Sequence, residues 1–381
     1  MRRTFKYKAK INKQTEANCF EWLYLCRTLY NLCLEQRIMF WRQWRKSLTG
    51  YDQKNELPAL KSEYPEFKKV NAQTLGDVVL RLDKSFKAFF QRLKRGETPG
   101  FPRFKNRDRY HSFTLSQNGW KLEGRNLYIK GIGRFKLFLS RPIQGRIKTV
   151  TVSRNSTGKW FVSFSCDDVP ATILPEAEKL EVGIDVGLTS FLTDSEGNKV
   201  ENPKFFRESE KELRRRQRSL ARKKKGSRRR ARARQRVALL HEKITNQRLD
   251  FINKLVLFYV TTYQTIYIEN LNIKNMVKNR RFSKGISDVA WGMFFLALRV
   301  KAEGAMRTVK EVIPNGTSQL CSDCGALVPK TLSVRIHRCP SCGSVRDRDW
   351  NASRNIVLRG RAALANVKLE VDQACSGISG K

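Results

Sequence analysis

Two stretches in the first quarter of the chain repeat apolar side chains with the period of a helix. Residues 13–44 place apolar side chains every three or four positions, and residues 71–94 repeat this pattern. Each stretch is therefore predicted to form an amphipathic helix whose apolar stripe packs against a neighbour. With the segment between them, they predict a small helical domain over residues 13–99.

Alternation with a period of two, which is typical of strands, surrounds this helical region. Residues 4–11 alternate apolar and basic side chains, and residues 112–166 contain further alternating runs, the last two joined by the turn sequence NSTGK. We expect a β-barrel or sandwich of five or six strands, completed by the N-terminal strand. Its predicted bounds are residues 1–12 and 100–178, and the proline-containing residues 169–180 are interpreted as a linker.

A third region combines short buried strands with helices, which is typical of an α/β domain. In its first strand the alternation puts Asp185 on the same face as two glycines, which leaves room for a ligand. A later strand of the parallel-sheet type ends in Glu269. Open α/β sheets bind ligands at the carboxyl ends of their strands, so Glu269 is a candidate site residue. For Asp185 the alternative is a strand-end acid that a turn satisfies.

The rest of this region predicts a helix over residues 286–306, with Ser287 or Asp288 as its N-cap, then a strand and a final helix. The final helix begins within DRDWNASRNI, where Asp347 and Asp349 are both candidates for a third site acid. They differ by two positions, and spacing alone does not separate them.

Four cysteines stand between that last strand and the final helix, in the pattern C-x2-C-x14-C-x2-C. Two C-x2-C turns can present four thiolates to one tetrahedral ion, and the residues between them can return the chain as a hairpin. The pattern predicts a structural zinc site in an inserted module, residues 315–343; a redox dithiol is the alternative. His337 is interpreted as a bystander. The predicted zinc ligands are Cys321, Cys324, Cys339 and Cys342.

Positive charge dominates the composition. The 381 residues include 76 lysines and arginines against 35 aspartates and glutamates, a formal net charge of +41. Nucleic acid is the expected partner because many cationic contacts displace phosphate counterions. Residues 211–236 contain fifteen of these basic residues and predict a phosphate track, with a solvated face or disordered tail as the alternative. The candidate nucleic-acid-binding residues are Arg214, Arg215, Arg216, Arg218, Lys223, Lys224, Lys225, Arg228, Arg229 and Arg230.

Three carboxylates that share one cleft repel each other unless divalent cations intervene, and hard oxygen ligands suit Mg²⁺ or Mn²⁺. Two such ions can hold the attacking water and the leaving oxygen of a phosphodiester. Convergence of the acids would therefore give a basic protein that hydrolyses a nucleic-acid backbone. The sequence has no run of apolar residues long enough for a membrane span. We expect a cytoplasmic protein, associated with the nucleoid through DNA.

Five motifs occur in a characteristic order: GIDVG, IYIENL, TSQLCSDCG, CPSCG and DRDWNASRNI. In this order they resemble the RuvC-like nuclease and zinc-binding module of TnpB proteins, which insertion sequences encode and which are related to small type V CRISPR effectors. GFPRFK and KWFVSFSC extend the resemblance from about residue 99 onward. Two features depart from the family pattern. The residues before TSQ are PNG, where members often have an aromatic residue, and Trp350 is bulky for its position.

The resemblance implies an RNase H-like fold with catalytic acids at Asp185, Glu269 and Asp349. These acids are expected to bind two magnesium ions. It further implies an RNA-guided DNA endonuclease that uses a guide RNA from the transposon end and cuts double-stranded target DNA beside a short motif, without an obligate protein partner.

The resemblance also implies a domain arrangement. Residues 1–12 and 100–178 would form a wedge-like β-barrel and residues 13–99 a helical recognition domain. The split nuclease domain would comprise residues 179–314 and 344–381, with the zinc module between them.

Three other functions stay open. A TnpB-like chain can act as a nuclease-inactive, RNA-guided DNA-binding regulator, although the intact acids argue against this. An RNase H-like transposase is the second alternative, but such enzymes commonly place their last acid, a glutamate, soon after the second. A guide-free RNA-binding protein, which composition alone would allow, has no use for three acids.

Overall fold

The computed structural model describes residues 1–331 and 333–376, with side chains described up to residue 363. The end of the predicted nuclease domain, residues 377–381, lies outside the described residues. The chain divides into two compact units, Met1–Pro170 and Ala171–Lys381. Among the described residues, no helix combines the length and the apolar character that a bilayer span requires.

The first unit contains a layer of helices and an antiparallel sheet. Its strands are β1 (Arg3–Lys10), β2 (Ser112–Leu115), β3 (Trp120–Glu123), β4 (Asn126–Ile129), β5 (Gly133–Phe138), β6 (Arg146–Arg154) and β7 (Trp160–Asp167). Its α-helices are α1 (Lys13–Trp44), α2 (Gly50–Asn55), α3 (Leu57–Glu63) and α4 (Ala72–Lys94), and two 3₁₀ helices cover Pro65–Lys69 and Arg107–Arg109.

Both predicted long helices of this unit are confirmed. Asn12 caps α1 by accepting a hydrogen bond from Thr15 N at 2.7 Å, and Asn71 caps α4 through Gln73 N at 2.9 Å. Each cap satisfies a backbone N–H that has no partner inside the helix. The cap positions explain why α1 begins at the predicted residue and α4 one residue later.

Strand β1 lies inside the sheet, whose order is β2-β6-β7-β1-β5-β4-β3. It pairs with β7 on one side, where Phe5 faces Phe164, and with β5 on the other, where Lys8 faces Phe138. The predicted contribution of the N-terminal strand is therefore confirmed. The described sheet has seven strands, more than the five or six expected. Because β2 and β3 are its edges, a closed barrel stays a prediction.

The second unit is a mixed α/β structure. Its first half contains β8 (Lys179–Val186), β9 (Ser190–Asp194), β10 (Lys199–Glu201), α5 (Phe205–Ala221), α6 (Arg228–Thr262) and β11 (Tyr263–Glu269). Its second half contains α7 (Ile273–Met276), α8 (Ser283–Val289), α9 (Trp291–Gly304), β12 (Thr308–Val312), β13 (Ile336–Arg338), β14 (Val345–Asp347) and α10 (Arg348–Ser376).

The sheet of this unit has the order β10-β9-β8-β11-β12. Strand β11 is parallel to β8 and to β12, which confirms the parallel type predicted for the strand that ends in Glu269. Strand β9 is antiparallel to β8 and to β10. Helix α10 approaches the sheet closely at two glycines. A Cβ atom on Gly183 would overlap the carbonyl oxygen of Ser353, and one on Gly360 would overlap the ring of Tyr267.

The basic residues 211–236 lie in two helices and in the turn between them, and do not form the disordered tail considered above. Helices α5 and α6, with the turn 222–227 between them, form a hairpin that we term the basic hairpin. Ser227 caps α6 by accepting from Arg230 N at 3.1 Å. The Arg230 guanidinium reaches back to the carbonyl oxygens of Leu220 and Lys223, at 3.1 and 2.7 Å, and so stabilises the turn.

The predicted single helix over residues 286–306, capped by Ser287 or Asp288, is wrong. Ala290 adopts a left-handed conformation, with φ of 60°, and separates α8 from α9. Asp288 instead accepts from the backbone N–H groups of Phe206 and Arg207, at 3.0 and 3.3 Å, and pairs with Arg248 at 2.8 Å. It thus supplies the negative charge at the start of α5 that a helix N-terminus favours.

Candidate active site and cysteine cluster

Three acids from distant parts of the sequence line one cavity of about 560 Å³ in the second unit. Asp185 lies near the end of β8, Glu269 is the last residue of β11, and Asp349 lies in the first turn of α10. The first two are neighbours because the parallel pair of Ile184 and Ile268 immediately precedes them. The structure therefore brings together the three residues that the sequence nominated.

Burial and mutual repulsion make this cavity unfavourable for negative charge. Desolvation raises the pKa of Asp185 well above its usual value, and the nearby carboxylates of Glu269 and Asp349 raise it further. Burial also raises the pKa of Glu269, against the opposite effect of a hydrogen bond from Thr317. A cation bound among these groups would offset the repulsion.

Asp347 has a different environment from Asp349. Its carboxylate accepts from the backbone N–H groups of Asp349 and Trp350, at 2.9 and 3.2 Å, and from Lys199 Nζ at 2.6 Å. It therefore caps the start of α10 and pairs with a lysine on β10, while Asp349 lines the acidic cavity. Helix capping separates the two acids, which sequence spacing did not.

Two arginines near Asp349 were missed in the sequence. Arg348 donates through Nε and Nη2 to Asp349 Oδ1, at 3.0 and 2.9 Å, and Arg335 Nη1 lies 3.8 Å from Oδ2. Both arginines line the cavity, and the side chain of Arg335 is half exposed. Guanidinium groups bind phosphate oxygens through paired hydrogen bonds. Arg348 was visible beside Asp349 in the sequence, whereas Arg335 lies between the cysteine pairs and gave no signal.

The four cysteines of the C-x2-C pairs form a compact cluster. Their sulfur atoms all lie within 4.8 Å of one another, with 3.6 Å between Cys321 and Cys342 and between Cys324 and Cys339. Four thiolates around one zinc ion, with Zn–S bonds near 2.3 Å, would lie about 3.8 Å apart. The residues therefore fit a tetrahedral metal ion.

The two cysteine turns have the same backbone geometry. In each, the first cysteine carbonyl accepts from a glycine N–H, from Gly325 at 2.9 Å and from Gly343 at 3.0 Å. Both glycines have positive φ angles, 76° and 73°, which side chains rarely adopt. His337, on β13, is buried and contacts Lys330. It lies outside the cysteine cluster.

The ten predicted nucleic-acid-binding residues divide into two groups on the basic hairpin. Arg216 donates to the carbonyl oxygen of Arg236 at 2.7 Å, and Arg230 stabilises the turn, so these two brace the hairpin. The others are largely exposed. Those lining a concave surface along α5 are Arg214, Arg215, Arg218 and Lys223, and those exposed at the turn and the start of α6 are Lys224, Lys225, Arg228 and Arg229.

Comparisons with known proteins agree with the motif resemblance. Residues 163–280 match the family model OrfB_IS605, described as a probable transposase, and residues 291–356 match the Cas12f1-like TNB domain. A protein of Streptomyces pristinaespiralis named "Putative RNA-guided DNA endonuclease" is 34% identical over 377 residues, covering 96% of this chain and 91% of that protein. This chain belongs to the TnpB family.

A second relative of this TnpB-family chain comes from Escherichia coli strain K12. It is named "Putative RNA-guided DNA endonuclease InsQ" and is 29% identical over 313 residues, covering 77% of this chain and 76% of that protein. The solved "mini-RNA-guided endonuclease CRISPR-Cas_phi3" superposes with a TM-score of 0.47 and 10% identity, over 94% of this chain and 92% of that one. At this score the likeness adds nothing to the family assignment.

Proposed function

We propose that this chain is an RNA-guided DNA endonuclease, encoded by a transposable element, that hydrolyses phosphodiester bonds. The names of its relatives support RNA guidance and DNA cleavage. The observation on which the proposal depends is the common cavity of Asp185, Glu269 and Asp349, in which the pKa of Asp185 is raised by burial and by the other two acids. A cluster of partly buried acids is costly without a cation, which supports a divalent-metal site.

The proposed catalytic domain is RuvC-like, with an RNase H-like fold split by the cysteine module. The order of the sheet, with antiparallel β9 and β10 beside parallel β8, β11 and β12, supports this assignment. In the first unit, the sheet is assigned to a wedge-like barrel and the helices to target recognition. These assignments follow the domain bounds expected from the sequence.

In the proposed mechanism the three acids would hold magnesium, and two ions are proposed. Bound magnesium would supply Lewis-acid activation of water and charge for the leaving oxygen. The chain contributes the remaining parts: Glu269 accepts a hydrogen bond from the Thr317 hydroxyl, and Arg335 and Arg348 would offer N–H donors to phosphate oxygens in the cavity near Asp349. A substrate phosphate would compete with Asp349 for these guanidinium groups.

The cysteine cluster is proposed to hold a structural zinc ion. Four thiolates complete a tetrahedral shell and leave no open position for catalysis. The second cysteine turn leads through β14 directly into α10, only seven residues from Cys342 to Asp349. Zinc binding would therefore stabilise the segment that delivers the third acid.

The basic hairpin is proposed to bind the guide RNA or the target DNA through phosphate contacts. Its exposed arginines and lysines give affinity without reading sequence, and sequence would be read by base pairing with the guide. Arg215 and Arg218, on the concave side of α5, are the first residues to test. Association with DNA would hold the protein at the nucleoid.

The proposal is tested by purifying the full chain with its bound RNA, sequencing that RNA, and adding plasmids with a matched target in Mg²⁺. We expect target-dependent cleavage by the wild type and none by Glu269→Gln, while both bind the target. Guided binding without cleavage by the wild type would instead indicate a regulator. Strand-transfer products on donor DNA would indicate a transposase. Either result contradicts the proposal.

A further inference from the structure

The carboxylate of Glu269 is held by a neutral hydroxyl group. Thr317 donates to Glu269 Oε1 at 2.6 Å, and the two residues are 5% and 8% exposed. The same hydroxyl lies 3.1 Å from the carbonyl oxygen of Pro314, but its single hydrogen serves the closer acceptor. A separation of 2.6 Å is typical of a hydroxyl that donates to an ionised carboxylate. The bond therefore favours the charged form of Glu269 and holds Oε1 in one orientation.

Thr317 is in turn held in place by the last helix. Asn355 Nδ2 donates to the carbonyl oxygens of Thr317 and Leu320, at 2.8 and 2.7 Å. Asn351, one turn earlier on α10, donates to Leu320 O at 2.7 Å and accepts from Ser322 N at 3.0 Å. Both asparagines are buried: Asn351 is 1% exposed and Asn355 is 4% exposed. Residues 317–322 are therefore clamped to α10 between Glu269 and the first cysteine turn.

We propose that Thr317 is a positioning residue for Glu269 and that Asn355 sets the position of Thr317. The inference rests on the proposed function, in which Glu269 holds a divalent cation together with Asp185 and Asp349. With Oε1 engaged by Thr317, the other carboxylate oxygen has no hydrogen-bond donor among the described residues. Thr317 would fix the direction in which that oxygen faces, so that less orientational freedom is lost when a cation binds.

A purely structural role for Thr317 predicts something different. If the hydroxyl served only to pin the turn against β11, its removal would lower the thermal stability of the chain. The folded protein would then bind divalent cations as before. Cation affinity, measured directly, separates the two roles.

The test uses the full chain with Thr317→Val, which keeps the shape and removes the donor, and Thr317→Ser, which keeps the donor. Mn²⁺ binding is followed by electron paramagnetic resonance, and thermal denaturation checks folding. We expect Thr317→Val to weaken Mn²⁺ binding about tenfold, as the loss of a hydrogen bond to a charged group does, and Thr317→Ser to bind within about twofold of the wild type. Equal Mn²⁺ affinity of Thr317→Val and the wild type would overturn the proposal.

Asn355→Leu provides a second route, and decides the question if Thr317→Val fails to fold. We expect Asn355→Leu to weaken Mn²⁺ binding in the same direction. In the double variant the loss of Mn²⁺ binding free energy should be smaller than the sum of the losses in the two single variants, because both substitutions act through one hydroxyl. Unchanged affinity in Asn355→Leu, or full additivity, would count against the inference.

Cleavage assays on the same samples keep the two proposals separate. If the wild type fails to cut a guided target but Thr317→Val still binds Mn²⁺ more weakly, the endonuclease proposal fails and the positioning role stands. If the wild type cuts and Thr317→Val matches it in Mn²⁺ affinity and in Mg²⁺ requirement, the positioning role fails and the endonuclease proposal stands.

Discussion

The cysteine cluster and the carboxylate cavity both gather side chains that repel one another when ionised, but they are assembled in opposite ways. The cysteines lie between residues 321 and 342, and two turns of the same geometry bring them together. The acids are separated by 84 and 80 residues, and they meet because two parallel strands end, and one helix begins, at the same place. One site is local, and the other depends on the fold of the whole second unit.

This difference decides how each site can fail. A cysteine turn can form with little help from the rest of the chain once a metal ion is bound, because its ligands and hydrogen bonds are close in sequence. The carboxylate cavity is built from segments that are far apart in the sequence, and its like charges oppose folding. The metal-bound cysteine cluster should therefore stabilise the folded chain. The metal-free carboxylate cavity should destabilise it, although the proposed catalysis requires this cavity.

The largest effect is expected for the acids. Asp349→Asn should lower guided cleavage on the order of a thousandfold or more, because a neutral amide is a far poorer magnesium ligand than a carboxylate. Guided binding to the target should persist, as measured by gel shift beside plasmid cleavage. Cleavage within tenfold of the wild type would mean that Asp349 does not belong to the site.

The next effect concerns stability. Cys321→Ser should lower the free energy of unfolding of the zinc-loaded chain on the order of several kcal/mol, since metal binding and folding of the module are coupled. Equilibrium denaturation and zinc analysis of the purified protein measure this. The cleavage rate should fall as well, through misplacement of α10. A variant with normal zinc content and normal stability would show that the cluster is not the metal site.

The sequence predicted these two sites to different degrees. Spacing alone nominated all four cysteines, because the ligand set is encoded in 22 consecutive residues. Asp185 and Glu269 could be nominated from strand patterns, but their meeting depends on β8 and β11 being neighbours in one sheet. Arg335 gave no signal, and Thr317 stood in the TSQLCSDCG motif with no role assigned to it, because the roles of both arise from contacts with residues that are distant in sequence.

The basic hairpin and Ala290 show a second limit of sequence reading. A run of like charges is typical of a disordered segment, yet these residues form helices because the other faces of α5 and α6 supply apolar contacts such as Leu213 and Leu240. The helix break at Ala290 has no glycine or proline to mark it. It becomes understandable only from the contacts that Asp288 makes with α5.

A smaller effect, opposite in sign to that of Cys321→Ser, is expected for Asp185. In the metal-free chain, Asp185→Asn should raise the free energy of unfolding by roughly 1 kcal/mol. The folded-state pKa of Asp185 lies above the unfolded value, so its contribution to stability is present at low pH and is lost as pH rises through the raised pKa. From pH 4 to pH 8 the free energy of unfolding should therefore decrease less for the variant than for the wild type, as measured by denaturation at each pH. A destabilised variant would contradict the proposed electrostatic strain.

The smallest effect is expected for Asp347→Asn, the matched control for Asp349→Asn. Asparagine caps a helix about as well as aspartate, so only the pair with Lys199 is lost, at a cost of about 0.5 kcal/mol. Guided cleavage should stay within about twofold of the wild type. A large loss of cleavage would reverse the assignment of the two acids.

Two glycines, one in β8 and one in α10 itself, set how closely the last helix packs on the sheet. Gly183 lets the backbone of α10 approach β8 at Ser353, and Gly360 lets α10 pack directly on the ring of Tyr267 in β11. Adding even one methyl group at either position would lift the helix away from the strands, and its first turn would carry the third carboxylate with it. The position of the third acid therefore depends on the close packing of α10 on the sheet, which at these two positions only a residue without a side chain allows.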